Sequence, residues 1–437
     1  MPNLRSLSDN GTATWRLLPI ISALSFAYPA CQESNAEGGL RVNEFRRLVA
    51  YEEMRIGQSD DPGEGFSRVT GVDVDDDRSI YILEALVPEI RVYNPDGMLV
   101  RRIGRRGAGP GEFRSPPRFG LQGDTLWAVD VGAHRITLFN REGTVLSTGQ
   151  VAAVVVALPN ANGHLLPWFM RPDGRLTSHF ARVSSRFNDP QTGDGATDSV
   201  PVPIVLFDVT GAVLDTIGWA ARPPPRLWRP PPESEGRVEF VQVGNRQVLV
   251  PSPPTRMPWW LPLPDGYVLV EAALPHSQED ATFTVARVGL SGDTAYIRRF
   301  HVRPARYSSA DLDSIAARGA RGEGTNVTVS GGGRGLPGPG ETKAITRALR
   351  SAMRFPTFKL PIEYPWLAQD ESVWVRLRGD SGETVEWMLL DVQGNPRGRL
   401  ELQSHLRVMW SRGDIFWALE TDQFDVPWAV RFRLQPG

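Results

Sequence analysis

Two short stretches carry residues whose type and spacing could do chemistry. Asp73-Val74-Asp75-Asp76-Asp77 with Glu84 places carboxylates at positions 1, 3, 5 and 12 of a loop, the pattern in which hard oxygen ligands gather around Ca²⁺. Arg78 occupies the position where the sharp turn of such a loop needs glycine. The stretch therefore reads as an acidic turn between two strands. The second stretch, Gly379-Asp380-Ser381-Gly382, sets a serine in a small-residue loop, as an activated nucleophile would require. It lies between the strand-like runs VWVRLR and TVEWMLL, with no histidine motif upstream, where a β-turn is needed anyway. The overlapping Arg378-Gly379-Asp380 takes the same turn reading. His134, His164, His179, His276, His301 and His405 show no H-x-x-x-H spacing, and His134, beside Arg135, reads as structural. No catalytic or metal-ligating residue and no cofactor is assigned.

The elements that must hold these residues are marked by repetition. Ile80–Asn94 (IYILEALVPEIRVYN) recurs 46 positions on as Leu126–Asn140 (LWAVDVGAHRITLFN), so that Tyr81 meets Trp127, Glu84 meets Asp130 and Tyr93 meets Phe139. Ile56-Gly57 leads into Pro62-Gly63-Glu64 just as Ile103-Gly104 leads into Pro110-Gly111-Glu112-Phe113. A repeat of this length made of short alternating strands cannot bury both faces of one sheet by itself, so the units stack radially. The expected fold is all-β, a six-bladed β-propeller with Pro/Gly-rich and short helical insertions.

In Gly107-Ala108-Gly109-Pro110-Gly111-Glu112-Phe113, then Val129-Asp130, Arg135-Ile136, Phe139 and Gly143, the chain resembles the NHL-repeat propellers. The match is good in one repeat, partial in the one before it and faint afterwards. Some six-bladed relatives of that family are metal-dependent lactonases or lyases, and the resemblance implies that Ca²⁺ or Zn²⁺ could be held at a central channel by residues from several blades.

Alternation and turn signals place blades at about Val69–Gly104, Phe119–Gln150, Val154 onward resuming at Pro203–Gly218, Trp259–Val302, Leu360–Leu402 and His405–Leu434. The last is one strand short, and Glu52–Ile56 is a strand without a blade. Closure by that strand would complete blade six and remove two exposed sheet edges. Three insertions account for the extra length: about residues 183–200, polar and Gly/Asp-rich; 220–258, proline-dense; and 304–356, with helical spacing at Leu312, Ile315 and Ala316 and again at Ile345, Leu349 and Met353.

The N-terminus resembles an export signal, with Arg5 and Arg16 followed by the apolar Leu17–Ala27, too short to span a bilayer. Cys31, the single cysteine, follows directly. One cysteine cannot form an internal disulfide, and the context resembles a bacterial lipobox, although Tyr28-Pro29 departs from it. Lipidation of Cys31, cleavage after Ala27 and an unprocessed terminus stay open. The expected organisation is a signal peptide at 1–30, a tether at 31–50 and the propeller at 51–437, anchored to a membrane only through lipid, in the periplasm or on the outer cell surface.

The 437 residues carry a net charge of −2, and Lys343 and Lys359 are the only lysines. The arginines are spread out and offset by acids, without the concentrated basic surface that nucleic acid requires. Arg101-Arg102 and Arg105-Arg106 read as a solvated strand end. The tryptophans alternate along strands, for example Val373-Trp374-Val375, and read as core between blades. The Pro-rich Arg226–Pro232 and Met257–Trp260 could form a recognition surface for a protein or small molecule. These readings point to a monomeric binding or interaction module. A metal-dependent hydrolase or lyase with its site at the channel and a structural envelope scaffold stand as alternatives.

Overall fold

A computed structural model describes residues 39–57, 65–115, 117–130, 132–150, 154–158, 161–165, 169–178, 181–184, 202–220, 240–251, 253, 256–278, 281–322, 329–330, 337–379 and 382–437. The export signal, Cys31, most of the 183–200 insertion and Arg226–Pro232 lie outside them. The period-2 alternation decides the architecture. In Ile80–Glu84, Ile80 and Ile82 join one buried cluster while Tyr81 and Leu83 join another. A strand apolar on both faces must be covered on both, so each sheet becomes a slice between two neighbours.

Blade 1 is Val69–Val74, Ile80–Glu84, Glu89–Tyr93 and Leu99–Ile103, paired antiparallel in that order. Blade 2 follows with Arg118–Gln122, Thr125–Asp130, Arg135–Asn140 and Val145–Gln150. Blade 3 is Phe169–Met170, Leu176–Ser178, Val202–Phe207 and Val213–Ala220; blade 4 spans Arg256–His301 and blade 5 Ile362–Gln403. The first strands of neighbouring blades touch one another, 6 with 1, 1 with 2, 2 with 3 and 4 with 5, which makes them the inner strands. Hydrophobic clusters fill each successive interface. Trp374 and Trp387 of blade 5 meet Phe416 of blade 6, and Trp417 of blade 6 meets Ile80 and Ile82 of blade 1.

That last contact closes the ring, and the expected N-terminal strand completes the sheet. Blade 6 contributes Arg407–Arg412, Ile415–Thr421 and Pro427–Pro436, and its outer strand is Arg47–Ile56, antiparallel to Pro427–Pro436 with Leu48 opposite Pro436 and Ile56 opposite Ala429. The closing strand starts earlier than Glu52. Arg47 and Leu48 also run parallel to the outer strand of blade 5, and Leu40–Arg41 pairs parallel with the outer strand of blade 4. Residues 40–50, expected in a tether, therefore belong to the ring, because each finds an unpaired outer edge to add to.

Five blades join their third and fourth strands by one turn. Asn94, Asn140 and Asp208 accept through side-chain oxygens from backbone N–H groups two or four residues on, and Gly97, Gly143, Gly211, Gly292 and Gly394 take φ between 76° and 87°. In an up-and-down sheet these turns leave by the same face as those between the first and second strands. On that face arginines tie blade to blade. Arg412 of blade 6 donates to Asp76 of blade 1 at 2.8 Å, Arg141 of blade 2 pairs with Asp77, Arg171 of blade 3 donates to the Pro264 carbonyl at 2.8 Å, Arg287 of blade 4 pairs with Glu371 at 2.8 Å, and Arg397 of blade 5 donates to Asp414 at 2.7 Å. These five arginines are thus clamps between blades.

Two expectations are corrected. Val154–Leu158 is a strand but belongs to a separate three-stranded sheet with Ala161–Leu165 and Ala181–Ser184. The inner strand of blade 3 is the two-residue Phe169–Met170, too short to produce alternation. Met257–Trp260 lies on the inner strand of blade 4, Arg256–Leu263, and not on an insertion, so its aromatic rings serve packing between blades.

Candidate functional site

The opposite face carries the large insertions, since every connection between blades emerges there. Two of them, after blades 3 and 4, fold together. The hairpin Phe240–Val243/Arg246–Leu249 and Val329–Ser330 form one small sheet. Helix α1 (Ser309–Ala320) and helix α2 (Pro339–Ala352) pack against it through Val248, Ala316, Ala320, Ile345, Leu349 and Met353, all buried. Helix α1 starts on a capping box, in which the Ser308 hydroxyl accepts from Asp311 N–H while the Asp311 carboxylate accepts from Ser308 N–H. Pro339 opens helix α2, where its missing N–H costs nothing.

Between α1 and the top of blade 5 lies a cavity of about 620 Å³. Its walls are charged and largely paired. Lys359 Nζ sits 2.9 Å from Asp311, Arg376 Nε 2.5 Å from Glu363 and Arg399 Nη1 3.0 Å from Glu386. Lys359 is 6% exposed and also lies 5.7 Å from the Tyr307 ring centre, which stabilises a desolvated ammonium from a second side. Burial pushes the Tyr307 hydroxyl above its ordinary pKa. Glu401 turns outward to Arg47 at 2.9 Å and accepts from Thr384 Oγ1 at 2.6 Å. Among the described lining residues, Arg318 and Arg378 are the cations that no carboxylate pairs. The Nε–H of Arg378 is buried without a hydrogen-bond acceptor, and so is that of Arg399. Sequence reasoning missed this site because its walls come from residues as far apart as Tyr307 and Ser404. The one available signal was Lys359, a rare lysine in an arginine-rich chain.

The residues singled out by sequence are dispersed. The acidic turn is a turn: Asp75 Oδ1 accepts from Ser79 N–H at 2.8 Å, and Arg78 takes φ 66°. Glu84 is not part of it. Fully buried, it accepts from Ser67, Arg68 and Leu86 N–H groups, and its repeat partner Asp130 accepts from Arg114, Ser115 and Ala133. Both carboxylates pin the chain that enters their blade. Asp73 points between blades, accepting from Leu121 N–H and Trp410 Nε1–H at 3.1 Å each, and burial pushes its pKa up to about 6.

His134 occupies a left-handed turn at φ 48°, and exposed His405 lies 3.5 Å from Glu420. The side chains of His164 and His179 lie outside the described residues, as do Asp380 and Ser381, whereas Arg378 faces the cavity. Among the described residues no group of three or more His, Cys, Asp or Glu is placed to hold a metal ion. Arg102 pairs with Glu89, Arg105 with Glu112, and Arg106 donates to the Leu86 carbonyl, so that basic cluster is spent on structure. Among the described residues no helix is long and apolar enough to cross a membrane.

The family model agrees with the ring. A family model described as "6-bladed beta-propeller" matches residues 65–187, which hold blades 1 and 2 and the start of blade 3. No curated protein matches the chain. Among solved structures, the chain is similar to a candidate exported protein of Bacteroides fragilis at 13% identity, over 88% of this chain and 95% of that one, with a TM-score of 0.42. It is similar to a DUF4221-family protein of Bacteroides vulgatus at 10% identity, over 90% and 100%, with a TM-score of 0.42. A PQQ-bound aldose sugar dehydrogenase of Streptomyces coelicolor follows at 12% identity, over 89% and 98%, with a TM-score of 0.39.

Proposed function

We propose that this chain is an exported, NHL-like β-propeller, lipid-anchored through Cys31, that acts as a monomeric binding module at the cell envelope, with its ligand site in the cavity between α1 and blade 5. The observation that supports the site is the asymmetry of the two faces. One is consumed by tight turns and arginine clamps, while the other carries a folded cap over a charged cavity. A cavity with a rigid propeller wall and a helical second wall is a form that binding sites take. In this reading the leader ends at residue 30 and a tether of about eight residues precedes Gly39.

Thermal melting of the full chain against a diverse small-molecule panel tests the site, with Ser314→Trp, on the cavity wall, as the blocking variant. Any binder is expected to raise the wild-type melt and leave Ser314→Trp unmoved. A binder that stabilises both equally lies elsewhere. If that binder arrives with stoichiometric Ca²⁺ or Zn²⁺, the channel-sited hydrolase or lyase replaces the binding module.

A further inference from the structure

The cavity has a chemical bias of its own. Its carboxylates are each engaged, Asp311, Glu363 and Glu386 by cations of the wall and Glu401 by Arg47. Arg378 is held in place through its backbone, whose N–H donates to the Pro361 carbonyl at 3.0 Å, yet its guanidinium has no carboxylate partner and its Nε–H is buried without an acceptor. Arg399 uses Nη1 on Glu386 and leaves its own buried Nε–H unmatched. Arg318, exposed on α1, adds a third guanidinium to the same lining. Buried donors without acceptors are costly to a folded protein. Arg378 and Arg399 both line this cavity, which also holds cationic charge beyond its carboxylates.

Resting on the reading of this cavity as the binding site, we propose that its ligand is a small-molecule anion, bearing a carboxylate or phosphate group that accepts from Arg378 and Arg399 while Arg318 neutralises it from the rim. Both groups present oxygen pairs that match the planar fork of a guanidinium. Tyr307, whose hydroxyl burial pushes further above its ordinary pKa, belongs to the same lining and supplies a neutral donor, so the uncharged part of the ligand has a place as well.

The test is titration of the full chain with citrate and, separately, inorganic phosphate, against sodium chloride at equal ionic strength. One of the two is expected to bind and to raise the melt beyond the salt control, and which one does so separates the carboxylate from the phosphate. Arg378→Gln should weaken that binding about 10-fold to 100-fold, Arg378→Lys should restore it only in part, and Arg318→Gln, on an exposed helix face, should weaken it less. Anion binding that survives Arg378→Gln undiminished overturns the proposal, as does absence of any effect beyond the salt control. If an uncharged panel compound is instead blocked by Ser314→Trp and indifferent to Arg378→Gln, the anion falls while the cavity stands. If no binder responds to Ser314→Trp, the cavity reading itself fails.

Discussion

Asp73 shows how one side chain can serve three blades. Its carboxylate takes hydrogen bonds from blade 2 through Leu121 and from blade 6 through Trp410 while sitting on blade 1. Burial raises its pKa to about 6 from an ordinary 3.8, so the folded chain holds this proton more tightly than the unfolded chain does. Its contribution to stability is therefore complete below about pH 4 and is lost as the pH rises through about 6. Denaturant midpoints measured from pH 4 to pH 7 should show that fall, and Asp73→Asn should flatten it. Gly394 gives a second prediction at this scale. It has φ 76°, and an added Cβ would lie 2.5 Å from the Tyr296 ring of the preceding blade. Gly394→Ala combines left-handed strain with overpacking and should cost roughly 2–4 kcal/mol in equilibrium unfolding. At Gly97 and Gly143, as at Gly394, the turn is the thin point where one blade rests on the next, a role that no local pattern announces because it depends on which outer strand lies beneath.

The elements were legible wherever their own residues carried the signal. Period-2 strands and the helically spaced apolar residues of α1 and α2 depend on neighbours in the chain, and the structure places them where the pattern does. Ser308→Ala should remove about 1 kcal/mol by uncapping α1, read as faster hydrogen exchange over Ser309–Ala320. The repeat aligns Glu84 with Asp130, but nothing local shows that each carboxylate reaches back to the chain entering its blade. Asp130→Asn leaves several N–H donors sharing one acceptor oxygen and should cost about 1–3 kcal/mol. What remained illegible follows from geometry. The inner strand of blade 3 is too short to alternate, and the run Val154–Leu158 reads as a blade strand because local pattern cannot say which sheet a strand will join. The cavity was invisible for the same reason, since nothing local to Arg378 announces that α1 will fold back over it.

At the scale of the molecule, closure by a non-local strand makes the ring one cooperative unit. Deleting residues 40–56 should abolish the single unfolding transition, because it bares the last strand of blade 6 and the outer edge of blade 5 together. Cys31→Ser should abolish fatty-acid labelling and release the protein from membranes; unchanged labelling would remove the lipid anchor from the proposal. The route of the N-terminal segment also has a mechanical consequence. A pull delivered through the residues before Gly39 reaches the ring along the same segment that seals it. The two-residue pairing of Leu40–Arg41 with blade 4 meets the load first, then Arg47 and Leu48 on blade 5, and only afterwards the long ladder from Leu48 to Ile56 on blade 6. Small contacts that can re-form thus stand in front of the one whose failure opens the ring. Stretched from this end, the molecule should yield first in a short reversible step and hold its circle until the final ladder shears.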